Sequence, residues 1–94
     1  MDNRPSIDLL ESNHTFPGIY QIKAIGMSDD DFEARVIETV RSELSTPSDL
    51  THVVKATPGG RHVSLTLDVL VQNADQVRTI YDKLKDLKGV TLLL

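Results

Sequence analysis

The amino-acid sequence predicts an α+β two-layer sandwich of order β-α-β-β-α-β, with a four-stranded antiparallel sheet carrying both helices on one face. Three observations predict it. Two stretches of helical periodicity, 28–44 and 73–87, are each enclosed by short segments rich in β-branched residues. A Pro58-Gly59-Gly60 turn lies between the two halves, where a hairpin would join them. Val63, Leu65, Leu67, Val69 and Val71 alternate with His62, Ser64, Thr66 and Asp68, so one side of that strand is apolar and the other polar. A strand covered on both sides would be apolar throughout, so the helices belong on a single side.

Residues 1–15 read as a flexible N-terminal arm with one helical turn around Ile7, Leu9 and Leu10, and residues 16–94 as a single domain. Ile19 to Ile25 reads as the first strand, closed by Gly26, with Tyr20, Ile22 and Ala24 inward and Gln21 and Lys23 outward. Ser28 followed by Asp31 resembles a capping box, so a helix is expected to start there. Asp29, Asp30 and Asp31 then occupy its first turn, each stabilised by about 0.3–1 kcal/mol at the positive end of the helix dipole. Phe32, Val36, Ile37, Val40 and Leu44 supply the buried stripe before Ser45 to Asp49 ends the helix.

Leu50 to Thr57 is the second strand, and a register pairing Val54 with Val63 is expected across the hairpin. Asn73 with Gln76 marks a second cap, followed by Val77, Ile80, Tyr81, Leu84 and Leu87 at i, i+3, i+4, i+7 spacing before Gly89. Val90 to Leu94 is the fourth strand. Two strand–helix–strand halves joined by a hairpin form the split β-α-β, or ferredoxin-like, sandwich, with strands one and three central and two and four at the edges.

Composition narrows function. Ninety-four residues close a single core. The longest apolar runs fall far short of the roughly 20 residues that cross a bilayer, and the expected setting is cytoplasmic with no membrane partner. The absence of cysteine excludes disulfides, thiolate catalysis and Cys-based zinc sites. A net charge of −4 with scattered Lys and Arg residues disfavours nucleic acid as a partner.

No catalytic constellation emerges, and no cofactor is expected. His14, His52 and His62 lack the i, i+4 spacing that chelates a metal from a helix. Consecutive carboxylates at 29–31 diverge by about 100° per residue around a helix axis, so they read as capping charges and not as a metal site. Ser64 and His62 share a strand face, but neither a nucleophile elbow nor a third orienting group accompanies them. The informative feature is the sheet face turned away from the helices. There Thr51, Val53 and Lys55 join His62, Ser64 and Thr66 beside Gln21, Lys23 and Ile25. Either this face is merely solvated, or Ile25, Val53 and Leu93 form a patch for self-association or a partner, with Lys23 and Lys55 orienting an anionic group.

Phe16, Pro17, Tyr20, Lys23 and Gly26 resemble the FP-x-x-Y-x-x-K-x-x-G opening of the YbeD-like family, small bacterial proteins of unknown function. The run from Lys55 to Thr66 is similar to that family's hairpin, K-P-S-S-x-G-x-Y-x-S-V-T, and the similarity continues through Gln76, Val77, Ile80, Tyr81 and Leu84. The chain departs from it where His62 replaces Tyr, Ala56 replaces Pro and Gly59 stands at a position commonly Lys. The resemblance implies an ACT-like fold, a regulatory or ligand-binding role without catalysis, and a loose association with lipoate metabolism. Carried over by position, the binding candidates are Lys23, Gly26, Lys55, Gly60 and Ser64, with His62 at the altered position. ACT-like domains commonly hold ligand at the turn after the first strand, which adds Ser28 and Asp29. The expected partner is a small metabolite or a protein, with the chain a homodimer. The alternative reading is an RRM-like module for single-stranded RNA, which shares this topology.

Overall fold

The computed structural model describes residues 5–28 and 31–94. Its elements are α1 (Ile7–Asn13), β1 (Gly18–Met27), α2 (Phe32–Arg41), β2 (Leu50–Ala56), β3 (His62–Val71), α3 (Ala74–Lys85) and β4 (Val90–Leu93), with a 3-10 turn at Pro47–Asp49. The four strands form one antiparallel sheet in the order β2-β3-β1-β4. The expected arrangement therefore holds, with β1 and β3 central and β2 and β4 at the edges.

The segment before the first strand carries α1. Ser6 caps it by accepting a hydrogen bond from the Leu9 N–H at 3.1 Å, and Leu10, only 2% exposed, reaches the core. The β1 alternation holds as predicted, since Ile22 and Ala24 are fully buried while Gln21 and Lys23 are exposed. In β3 the side chains of Leu65, Leu67, Val69 and Val71 are buried and those of the even-numbered residues only half-buried. Phe32, Val36 and Val40 of α2 and Val77, Ile80 and Leu84 of α3 complete the same core. Each such side chain contributes roughly 1.5–3 kcal/mol by leaving water.

The start of α2 departs from expectation. Its N-cap is Asp31, whose side chain makes no capping bond, and the helix begins at Phe32 and not at Ser28. Ser28 instead donates its backbone N–H to the Arg61 carbonyl at 2.9 Å, which ties the chain to the β2–β3 turn and keeps it extended. Asp29 and Asp30 lie outside the described residues. The second cap is as predicted: Asn73 Oδ1 accepts from the Gln76 N–H at 2.8 Å. The Gln76 side chain does further work, accepting from the Gln72 N–H and donating to the Glu43 carbonyl at 2.7 Å, so the start of α3 is fastened to the segment after α2.

The β2–β3 register also differs from expectation. Ala56, not Val54, lies opposite Val63, and Val54 lies opposite Leu65. The shift is two residues, because the turn centres on Gly59 and Gly60: Thr57 donates to the His62 carbonyl at 3.0 Å and Gly60 donates back to Thr57. Gly59 and Gly60 adopt φ of +90° and +72°, the left-handed conformation that the turn requires. A two-residue shift preserves which side chains share a face.

Candidate binding surface

With helices on one side, the opposite sheet face is defined by register. Across the four strands, Lys55, Ser64, Ile25 and Leu92 form one row, and Val53, Thr66 and Lys23 the next, with Leu94 joined to Lys23 by two backbone hydrogen bonds. Thr51, Asp68 and Gln21 form a third row, in which Gln21 donates to the Asp68 carboxylate at 3.1 Å. Beyond the first row, His62 lies opposite Met27.

This face is more apolar than the sequence alone suggested. Val53 is 68% exposed, Leu94 59% and Leu92 47%, with Met27 and Ile19 also standing in solvent. Leu93, expected in this patch, faces the core instead, opposite Ala24. The cause is a β-bulge: the β1–β4 register changes between Ile25 and Gly26, and a one-residue slip sends alternate side chains to opposite faces. Leu92 and Leu94 therefore take the exposed positions. No local signal in Val90 to Leu94 announces that slip.

The charge on this face is also distinctive. Lys23 and Lys55 have no ion-pair partner among the described residues, and Asp68 is the only carboxylate on the described strands of this face. A chain of net charge −4 thus presents a locally cationic sheet face bordered by apolar side chains.

The other sequence-derived candidates separate into two groups. Lys23, Lys55, Ser64 and His62 are brought together on the open face, and Gly60 lies in the adjoining turn. Gly26 is instead bound into the opposite layer, and Ser28, exposed, is tied through its N–H to the Arg61 carbonyl of the β2–β3 turn. Gly26 is buried beneath the Phe32 ring, Met27 donates to the Gly89 carbonyl at 3.1 Å, and Arg35 donates to the Lys88 carbonyl. The turn after β1 is therefore stitched to the α3–β4 turn, and packing against Phe32 accounts for the glycine.

A shallow depression of about 500 Å³ lies on the outer side of α2, lined by Glu33, Ala34, Ile37, Glu38 and Arg41. It is separate from the open sheet face. His52 of β2 reaches Glu33 at 3.2 Å beside it. Among the described residues, no three His, Asp or Glu side chains gather as a metal site, and no helix is long and apolar enough to cross a membrane.

A second aromatic group lies at the start of β1. Tyr20 meets Tyr81 edge-on at 6.3 Å and His14 packs on Tyr20 at 4.7 Å. Burial, then the hydrogen bond with Tyr20, holds the Tyr81 proton well above the ordinary phenol range.

Comparison with known proteins locates relatives for nearly the whole chain. A family model described as a protein of unknown function, DUF493, matches residues 11–94. The chain is similar to a UPF0250 protein of Shewanella oneidensis, 30% identical over 79 residues, covering 84% of this chain and 88% of that protein. A UPF0250 protein of Yersinia enterocolitica is 29% identical with the same coverage, 84% and 88%. Among solved structures, the ACT domain from GTP pyrophosphokinase of Chlorobium tepidum superposes with a TM-score of 0.64 at 25% identity, over 81% of this chain and 94% of that one. A hypothetical protein from Helicobacter pylori superposes with a TM-score of 0.59 at 16% identity, over 84% and 87%.

Proposed function

Since the chain belongs to the DUF493 family of proteins of unknown function, we propose from its own geometry that it is a non-catalytic, ACT-like regulatory module whose open sheet face receives a protein partner. Family membership bears out the resemblance carried by Phe16 to Gly26 and Lys55 to Thr66, and the ACT domain among its structural neighbours bears out the fold. The observation that carries the proposal is the open face itself: Ile25, Val53, Leu92 and Leu94 around Lys23 and Lys55.

Exposed apolar side chains rimmed by polar ones mark interaction surfaces. A small metabolite is better held by a concave site that buries most of its surface. The open face spans four strands as a sheet, which favours a macromolecule. The lysines would orient an acidic group of that partner, and the setting proposed is the cytoplasm. The RRM-like alternative draws little support from this surface, because β1 and β3 present Lys23, Ile25, Ser64 and Thr66 at their centre, with the His62 ring at the end of β3, where stacking on successive bases calls for several aromatic side chains.

The test is affinity capture from bacterial extract with the wild-type chain and with a Val53→Asp, Lys55→Ala double variant, followed by titration of any captured protein after purification. Saturable binding by the wild type that weakens at least about tenfold in the variant supports the reading. Equal affinity for both would place recognition elsewhere.

A further inference from the structure

Most of the apolar side chains that the open face presents to solvent lie along one line. Ile19, half-buried Ile25 and Met27 project from β1, interrupted by Gln21 and Lys23, and Leu92 and Leu94 project from the adjoining β4. On the other side of β1, β3 shows Ser64, Thr66 and Asp68. The stripe follows the strands for about 26 Å from Ile19 to Met27, at about 3.3 Å per residue. It is two strands wide, about 10 Å. Val53 stands apart from it on β2.

These dimensions decide what fits. An α-helix is about 10–12 Å across with its side chains, and about 17 residues of it span the length of the stripe. A second sheet would instead cover all four strands and press an apolar face onto Ser64, Thr66 and the two lysines, burying polar groups without partners. Helices are also what this sheet already carries on its other face, where α2 and α3 pack. A second copy of the chain has no such helix to offer among its described residues, because the apolar stripes of α2 and α3 are buried in its own core.

Lys23 fixes the chemistry of the helix. It stands inside the stripe beside Leu94, so a helix laid there strips water from its ammonium group. A covered charge without a partner is strongly unfavourable, and the helix must therefore bring a carboxylate to it. Lys55 lies on β2, about 12 Å from Lys23 at Cα, given the spacing of strands and residues in the sheet. Measured from the β1–β4 seam, both lysines lie toward β3, so acidic residues are called for along one flank of the helix. Asp68 cannot serve them from within the face, since Gln21 engages its carboxylate.

Resting on the open face as the partner site, we propose that the element received there is an acidic amphipathic α-helix of the partner protein, laid along the β1–β4 seam. Its apolar side packs on Ile25, Leu92 and Leu94, and its carboxylates meet Lys23 and Lys55. Docking turns the two-layer sandwich into three layers, helix on sheet on helix. The charge pairs lie at one margin of the contact, so rising ionic strength weakens binding while the apolar stripe keeps its register.

The experiment selects peptides about 20 residues long, enough to span the stripe as a helix, from a random displayed library on the immobilised full chain. Selected peptides are expected to carry apolar residues at i, i+3, i+4 and i+7 and Asp or Glu along one flank, and to turn helical by circular dichroism on binding. Their affinity should fall at least about tenfold for Leu92→Asp and for Lys23→Glu. A peptide with Lys in place of its acidic residue should regain binding to Lys23→Glu. Glu38→Ala, on the outer side of α2, should bind as the wild type does.

A selection that yields no binder, binders that stay extended or carry basic flanks, or binders that Leu92→Asp does not weaken overturn the proposal. Where a variant chain does not fold, the peptide decides on the wild type. Proline at its centre breaks a helix, so a loss of at least about tenfold supports the proposal and unchanged affinity overturns it. Peptides that are extended when bound, yet weaken with Val53→Asp, Lys55→Ala, sink the helix and leave the open face as the partner site. Peptides that bind every open-face variant as tightly as the wild type remove the open face as well. Self-association of the wild type that Leu92→Asp abolishes, seen by sedimentation equilibrium, assigns the stripe to a second copy and overturns the proposal.

Discussion

The ring of Phe32 fills the space that a side chain on Gly26 would need: a Cβ built there lies 2.2 Å from the ring's Cζ and 2.5 Å from the Gly89 carbonyl oxygen. Three elements, β1, α2 and the α3–β4 turn, thus meet at a position that only glycine satisfies.

Gly26→Ala is expected to destabilise the fold by about 1–3 kcal/mol, the usual cost of overpacking. Adding Phe32→Leu should recover only part of that loss, because the Gly89 carbonyl is backbone and cannot rotate away. Urea unfolding of the two single variants and the double variant measures the coupling. Full recovery in the double variant would mean that the ring alone sets the constraint.

The one-sided sheet predicts opposite outcomes at adjacent positions of β3. Leu67→Ala should cost about 2–5 kcal/mol, since its side chain is fully buried. Thr66→Ala, on the open face, should stay within about 0.5 kcal/mol. Comparable losses at both would show that the open face is packed in solution.

Tyr81 makes stability sensitive to alkali. Its proton is held more tightly in the folded chain than in the unfolded one, where the hydroxyl ionises near pH 10. Stability is therefore complete below about pH 10 and falls as pH rises above it, because the unfolded state sheds the proton first. Tyr81→Phe should flatten that decline. Chemical unfolding between pH 8 and 11 tests it, and an unchanged slope in the variant would assign the decline to other groups.

At the start of α3, Asn73→Ala should cost about 0.5–2 kcal/mol through loss of the cap on the Gln76 N–H. Gln76→Ala removes two further bonds, to Gln72 and Glu43, and should cost at least as much. Thermal unfolding of both variants ranks them; a neutral Gln76→Ala would mean that water replaces its contacts.

Sequence alone was enough for the element order, the core faces of β1 and β3, the cap at Asn73 and the positive-φ turn at Gly59 and Gly60. These features are local. Side-chain alternation, helical spacing and turn chemistry act within a few residues, so they can be read along the chain. Lys23, Lys55 and Ser64 were legible as neighbours for the same reason, since strand parity survives a two-residue error in register.

Tertiary structure decided the rest. Ser28 gave a plausible cap, yet its N–H is taken by Arg61, which lies 33 residues away, and the helix starts at Phe32. Leu93 belongs to the core and Leu92 and Leu94 to the open face because the β1–β4 register slips by one at Ile25 and Gly26. Gly26 is governed by Phe32 and Gly89, which no spacing along the chain brings together. Register between distant strands and contact between layers depend on the geometry of the whole sheet and its packing. Propensity and periodicity determine which residues can be buried, while the folded sheet decides which face each one takes.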